Sequence, residues 1–131
     1  ACLVGSEMCI RDRDVEIDDV SCETDDYFCI TLYRVVQECL LNIKKHSQAT
    51  KILFHCKKTE QQYEILIQDN GKGFTMEEAE DKANSHFGLA LIHEGVNLLN
   101  GTIHVSSAIG RGTTIDIKIP LDLHSAVKKN N

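Results

Sequence analysis

The run Thr113-Thr114-Ile115-Asp116-Ile117-Lys118-Ile119-Pro120 alternates apolar and polar residues with a period of two until proline stops it. Successive side chains of a strand point to opposite faces, so this run demands a sheet with one buried face and one polar face. Tyr63, Ile65 and Ile67 repeat the pattern, as do Ile52, Phe54 and Cys56, with Lys57 to Gln61 as the turn between them. Ile103 and Val105 belong to a further strand, and Val15, Ile17 and Val20 suggest a short first one. A different period lies between. Leu32, Val35, Val36, Cys39 and Ile43 fall on one side of a helix expected from about Tyr27 to Ser47, with Asp25 and Asp26 as its N-caps. A second helix is expected from Gly88 to Leu99, with Leu91, Ile92, Val96 and Leu99 inward and Gly101 as its C-cap. Half-apolar strands and amphipathic helices must cover each other. The expected class is α+β: a two-layer α/β sandwich with helices on one face of a mixed, mostly antiparallel sheet.

The 131 residues suit one domain, which at this size hides roughly 70% of its unfolded surface without metal or disulfide staples. No run approaches the ~20 apolar residues of a membrane-spanning helix, so no membrane contact is expected of this domain. A net charge of −6 argues against a general grip on nucleic acid, which wants a basic face. An anionic ligand would need local devices: helix ends, a few cations or a metal ion. The six cysteines show neither C-x-x-C nor zinc spacing and read as reduced thiols of a cytoplasmic protein. Residues 1–13 show no period and read as non-native or disordered, residues 14–123 as the domain, and residues 124–131 as a disordered tail.

Four segments carry possible chemistry. Glu38, Asn42 and His46 are spaced i,i+4, with Lys45 beside them, on a polar stripe of the first helix that also holds Arg34. An amide oxygen there is a hard ligand suited to Mg²⁺, though the same stripe also reads as a solvated face with an ordinary charge pair. Asp69-Asn70-Gly71-Lys72-Gly73-Phe74 breaks the chain at a strand end, where an Asp can accept from the exocyclic amine of a base; Asn-Gly is equally a turn dipeptide. Gly88-Leu89 opens a helix whose free N–H groups suit phosphate, or is a plain helix entry. Gly110-Arg111-Gly112-Thr113-Thr114 turns into the last strand.

In this order the segments resemble the ATP-binding catalytic domain of bacterial sensor histidine kinases, of the Bergerat-fold ATPase superfamily shared with type II topoisomerases and heat-shock chaperones. Tyr33 to Ser47 resembles the asparagine box, closest to kinases of the nitrate-sensor and desaturase-sensor type. Asp69 to Phe74 resembles the first glycine box, His86-Phe87-Gly88-Leu89 the second, and Gly110 to Thr114 the final glycine–threonine turn. The resemblance spans about residues 15 to 121.

It implies ATP and Mg²⁺ as cofactors. By it, Asn42 would coordinate the Mg²⁺ that bridges the phosphates, and Glu38 would orient or activate the nucleophile. Lys45 would contact phosphate and His46 would line the site. Asp69 would accept from the adenine amine, Gly71 and Gly73 would let the backbone pass close, and Phe74 belongs to the same box. Gly88 and Leu89 would open the helix below the phosphates. Gly110, Gly112 and Thr114 belong to the final turn, and Thr113 would face adenine because it shares strand parity with Ile115, Ile117 and Ile119. Ser85, Glu94-Gly95 and Asn100-Gly101 depart from the family pattern and put lid behaviour in question. The implied partners are a helical dimerisation and phospho-acceptor domain, which has no counterpart in this chain, and a response regulator downstream. Two other functions share the fold: an anti-sigma-factor-type serine kinase and a non-catalytic nucleotide-binding module.

Overall fold

The alternating runs form a five-stranded sheet in the computed structural model, which describes residues 12–17, 26–75, 77 and 89–121 but not the side chains of 46 and 47. The elements are β1 (Asp12–Ile17), α1 (Asp26–Asn42), a π-helical turn (Ile43–Ser47), β2 (Lys51–Lys58), β3 (Gln62–Asp69), α2 (Leu89–Leu98), β4 (Thr102–Ala108) and β5 (Gly112–Pro120). The sheet order is β1-β2-β3-β5-β4. Only β1 and β2 pair in parallel, across the crossover that contains α1. The other pairs are antiparallel.

Register explains the core. Tyr63 faces Ile119, Ile65 faces Ile117 and Ile67 faces Ile115, and all six are buried. From the helical layer come Phe28, Leu32, Val35, Cys39 and Ile43, joined by Leu89, Ile92, Val96 and Leu99. Burying one such aliphatic or aromatic side chain contributes roughly 1.5–3 kcal/mol. The expected two-layer α+β class is the one observed.

Several local expectations change. The first strand starts at Asp12, two residues before the expected domain start, and ends at Ile17; Val20 lies outside the described residues. Val15 and Ile17 are 52% and 62% exposed, so their alternation does not mark a buried face. Asp26 lies inside the first turn of α1 rather than before it. The long helix is α-helical only to Asn42 and then widens. Leu91, expected inward, is 58% exposed, and buried Gly95 takes its place on the inner stripe.

Residue 95 packs directly against α1: an added Cβ would stand 2.5 Å from Val35 Cγ2. Gly101 is not the left-handed cap residue. Asn100 is, at φ 58°, while the N–H groups of Asn100 and Gly101 donate to Asn97 and Val96 carbonyls. Gly101 is small because a Cβ would stand 2.7 Å from the Lys118 carbonyl oxygen. Cys39 and Cys56 are reduced thiols as expected, whereas Cys29 is disulfide-bonded, which corrects the expectation of reduced thiols for that residue.

Candidate functional site

At the Asp69 end of β3 the apolar ladder gives way to a polar row. Asp69 on β3 faces Thr113 on β5, and Thr113 faces Ser107 on β4. These residues share the inner face with Ile67, Ile115 and Val105 one row further in. Asp69 is 8% exposed. Its Oδ1 accepts the Gly71 N–H at 2.8 Å. Burial pushes the Asp69 carboxyl above the usual carboxylate range, and the backbone N–H groups of Gly71 and Thr113 partly offset this.

The segment after Asp69 is clamped on both sides. The Asn70 Oδ1 accepts from the Thr50 and Lys51 N–H groups at 2.9 Å each, fixing the start of β2. Gly73 lies at φ +67°, and a Cβ there would run into the Ala108 carbonyl oxygen. Gly112, at φ +82°, leaves no room for a Cβ against the Asp69 carbonyl oxygen. Both glycines serve close backbone packing around the polar row.

A cavity opens over this row, lined by Cys39, Asn42, Ile43, Ile67, Asp69, Gly73, Phe74, Leu89, Thr113 and Ile115. With its open mouth it spans about 440 Å³. Only about 30 Å³ is deep enough to seat the centre of a water molecule, so any ring-sized ligand has to part the walls to enter. The lining is apolar except for Asn42 from the helical layer and Asp69 with Thr113 from the sheet. Such a space suits a flat, amine-bearing ring.

The structure thus brings together Asn42, Asp69, Gly73, Phe74, Leu89 and Thr113 of the expected residues. Glu38 does not line this cavity. It is half-buried in a separate groove between α1 and α2, with Arg34, Gln37, Glu94 and Leu98. Lys45 is exposed on the π-helical turn, where i→i+5 bonding replaces the α-helical stacking assumed for the stripe. Gly71 is buried beside Asp69 but does not reach the cavity. Gly110 stands at the tip of the turn with nothing near its Cβ position. Thr114 has the opposite parity to Thr113, and its Oγ1 accepts from Gln68 Nε2 at 3.1 Å on the far face. The His46 side chain, Gly88 and Ser85 lie outside the described residues.

Sequence reasoning placed Cys39, Ile43, Ile67 and Ile115 in the core without seeing that they also line the site. Burial and, secondarily, the Glu38 charge push the Cys39 thiol up to about 12, so it stays a neutral wall residue. Ser107 was missed altogether. Among the described residues, one group has metal-ligand character: Asp14, Glu16 and His55, with ligand atoms within 4.8 Å of one another. It lies on the polar face of the sheet, where His55 Nε2 is 3.3 Å from Asp14 Oδ1, and is no part of this cavity.

Comparison with known proteins agrees with this geometry. Residues 29–123 match the family model of histidine kinase-, DNA gyrase B-, and HSP90-like ATPases. The Bacillus subtilis signal transduction histidine-protein kinase/phosphatase DegS is 42% identical over 106 residues, covering 77% of this chain and 28% of DegS. The chain therefore spans about a quarter of the length of that relative. The Erythrobacter litoralis EL346 blue-light activated histidine kinase superposes with a TM-score of 0.72 over 88% of this chain and 36% of that one, at 20% identity. The ATP-binding domain of PrrB from Mycobacterium tuberculosis does so with 0.56 over 70% and 67%, at 26% identity. With a buried carboxylate, a strand threonine and a helix-borne asparagine meeting in one cavity of this fold, the chain belongs to the histidine kinase-, DNA gyrase B- and HSP90-like ATPase family.

Proposed function

We propose that this chain is the ATP-binding catalytic domain of a two-component sensor histidine kinase. It donates the γ-phosphoryl of ATP to a histidine on a separate helical dimerisation and phospho-acceptor domain, and a response regulator receives it from there. One observation carries this reading: Asn42, Asp69 and Thr113, far apart in sequence, line one apolar cavity at the end of the sheet. Asp69 accepts from the adenine amine, and the apolar walls take the ring. No described helix is long and apolar enough to cross a membrane, and the domain works where ATP is found, in the cytoplasm.

The donor set fits Mg²⁺. Asn42 is a neutral oxygen ligand that lines the cavity from α1, across from the sheet that carries Asp69. Mg²⁺ takes few protein ligands and completes its shell with water and phosphate oxygens. It would neutralise charge on the transferred group, while the protein's share of the work is positioning. In the transfer, an acceptor nitrogen forms a bond to the γ-phosphorus as the bond to the β–γ bridging oxygen breaks, leaving ADP. Lys45 and His46 belong to the phosphate side of this reading, and Gly88 with Leu89 to the helix opening beneath it.

Glu38 lies one α-helical turn before Asn42, outside the base cavity. That position suits the incoming nucleophile better than the nucleotide. Removing an orienting or general-base carboxylate slows transfer by about 10²–10⁴-fold. Glu38→Gln should therefore keep near-parental ATP affinity and lose transfer rate when the acceptor domain of a relative is supplied in trans. An unchanged rate would take Glu38 out of the reaction; absence of transfer by the parent protein under any acceptor would remove the kinase reading.

A further inference from the structure

Ser107 is joined to three parts of the site at once. Its Oγ accepts the Phe74 N–H at 2.9 Å, lies 3.1 Å from the Gly112 carbonyl oxygen, and lies 2.8 Å from Thr113 Oγ1. Phe74 and Thr113 both line the cavity, and Ser107 does not. We propose that Ser107 is a positioning residue that sets the base preference of the site by fixing the direction of the Thr113 hydroxyl. The proposal rests on the ATP reading above and deepens it.

Hydrogen-bond accounting carries the inference. A serine hydroxyl has one proton to give and two lone pairs to receive with. One lone pair already takes the Phe74 N–H. The Gly112 carbonyl can only accept, whereas Thr113 can either give or take. A single assignment uses every group: Ser107 donates to the Gly112 carbonyl, and Thr113 donates to Ser107. The reverse, with Ser107 donating to Thr113, withdraws its proton from the Gly112 carbonyl, and losing a bond in a part-buried place is costly. With its proton held by Ser107, the Thr113 oxygen shows only lone pairs to the cavity.

This places a second acceptor beside Asp69. Asp69 and Thr113 are direct neighbours across β3 and β5, and the Asp69 carboxylate is acceptor-only when ionised. Two adjacent acceptors match an exocyclic amine, which has two hydrogens to give. They repel a carbonyl oxygen at the same place. Adenine presents an amine there and guanine a carbonyl, so the pair selects adenine. A hydroxyl free to rotate would give its proton to a carbonyl and weaken that selection.

The test is Ser107→Ala, with Ser107→Thr as the variant that keeps the hydroxyl. Affinities for the non-hydrolysable analogues of ATP and GTP are measured by calorimetry, with melting temperature on the same preparations. Loss of the Thr113 lock should lower the ATP-over-GTP preference about tenfold, mainly by improving GTP-analogue binding, the ratio expected from about 1.4 kcal/mol. Ser107→Thr should restore it. A Ser107→Ala protein that binds both analogues more weakly by the same factor, with a lower melting temperature, would show that Ser107 only braces the Phe74 backbone and would overturn the proposal. A parent protein that binds neither analogue would overturn the ATP reading and this inference together; a parent that binds ATP with an unchanged preference in Ser107→Ala overturns this inference alone. If Ser107→Ala does not fold, Ser107→Cys, with a weaker donor and acceptor, should give a smaller shift of the preference in the same direction, and no shift overturns the proposal.

Discussion

The two walls of the cavity are held by different means. The sheet wall, with Asp69, Gly73, Phe74 and Thr113, is fixed by strand register and by the hydrogen bonds that Gly71 gives Asp69, Phe74 gives Ser107 and Ser107 shares with Thr113. The helix wall, with Cys39, Asn42 and Ile43, packs its two apolar residues into the core, and it changes helical type directly after Asn42. A register error in the first wall flips whole side chains to the other face. A change of period in the second slides residues around a cylinder without disturbing the core. On the ATP reading proposed above, the base end is held by strand register and the phosphate end sits on the more adjustable helix wall.

The most damaging way to break this contrast is at the sheet wall's backbone. Gly112→Ala meets both a positive φ and the Asp69 carbonyl oxygen, whereas Gly110→Ala meets a positive φ in open space. The first should lose roughly 2–5 kcal/mol and the second about 1 kcal/mol, read as melting temperature or denaturant midpoint. Equal losses would mean that the close approach of β5 to Asp69 is not tight.

Asp69→Asn acts on the same wall without altering its backbone. An amide presents its own donors to the adenine amine, so ATP preference over GTP should fall on the order of tenfold. The pH dependence sharpens this. Burial raises the Asp69 pKa above the ordinary value of ~3.9. On acidification the carboxyl takes up its proton earlier than a typical Asp, and ATP affinity should fall from that higher pH. Stability runs the other way. The folded carboxyl holds a proton more readily than the unfolded one, so it favours the fold in acid and loses that contribution as pH rises through the raised pKa. Asp69→Asn should flatten both profiles; a parent-like acid limb in the variant would assign it to another group.

Asn42→Ala probes the adjustable wall. Its amide is half-buried and leaves little behind when removed, so melting temperature should hardly move. Nucleotide affinity in Mg²⁺ should drop on the order of tenfold, to the level seen with a chelator, and the affinity without metal should stay. Equal Mg-ATP affinity in calorimetry would place the metal elsewhere.

The same contrast explains what could be read from the chain. Thr113 was legible from parity alone, because Ile115, Ile117 and Ile119 fix the phase of β5 from within one strand. Asp69 was legible because a breaker cluster follows it at once. Ser107 was not, since its role depends on β4 lying beside β5 and on a bond to Phe74 from a separate segment. Glu38 was read as a stack-mate of Asn42, but i,i+4 spacing says nothing about where a neighbouring helix closes off a groove. Leu91 failed for a related reason. Gly95, which carries no hydrophobic signal, is buried against Val35, while Leu91, one turn earlier on the same side, stays at the open rim of the groove between the helices.

That missing side chain at residue 95 has a mechanical consequence. The Val35 side chain of α1 fills the space that a side chain at residue 95 would need. α1 ends at Asn42 and α2 begins at Leu89, and both residues border the cavity. A side chain at residue 95 would therefore push α2 off α1, and the cavity bordered by Leu89 and Asn42 would feel it without any change in the sheet.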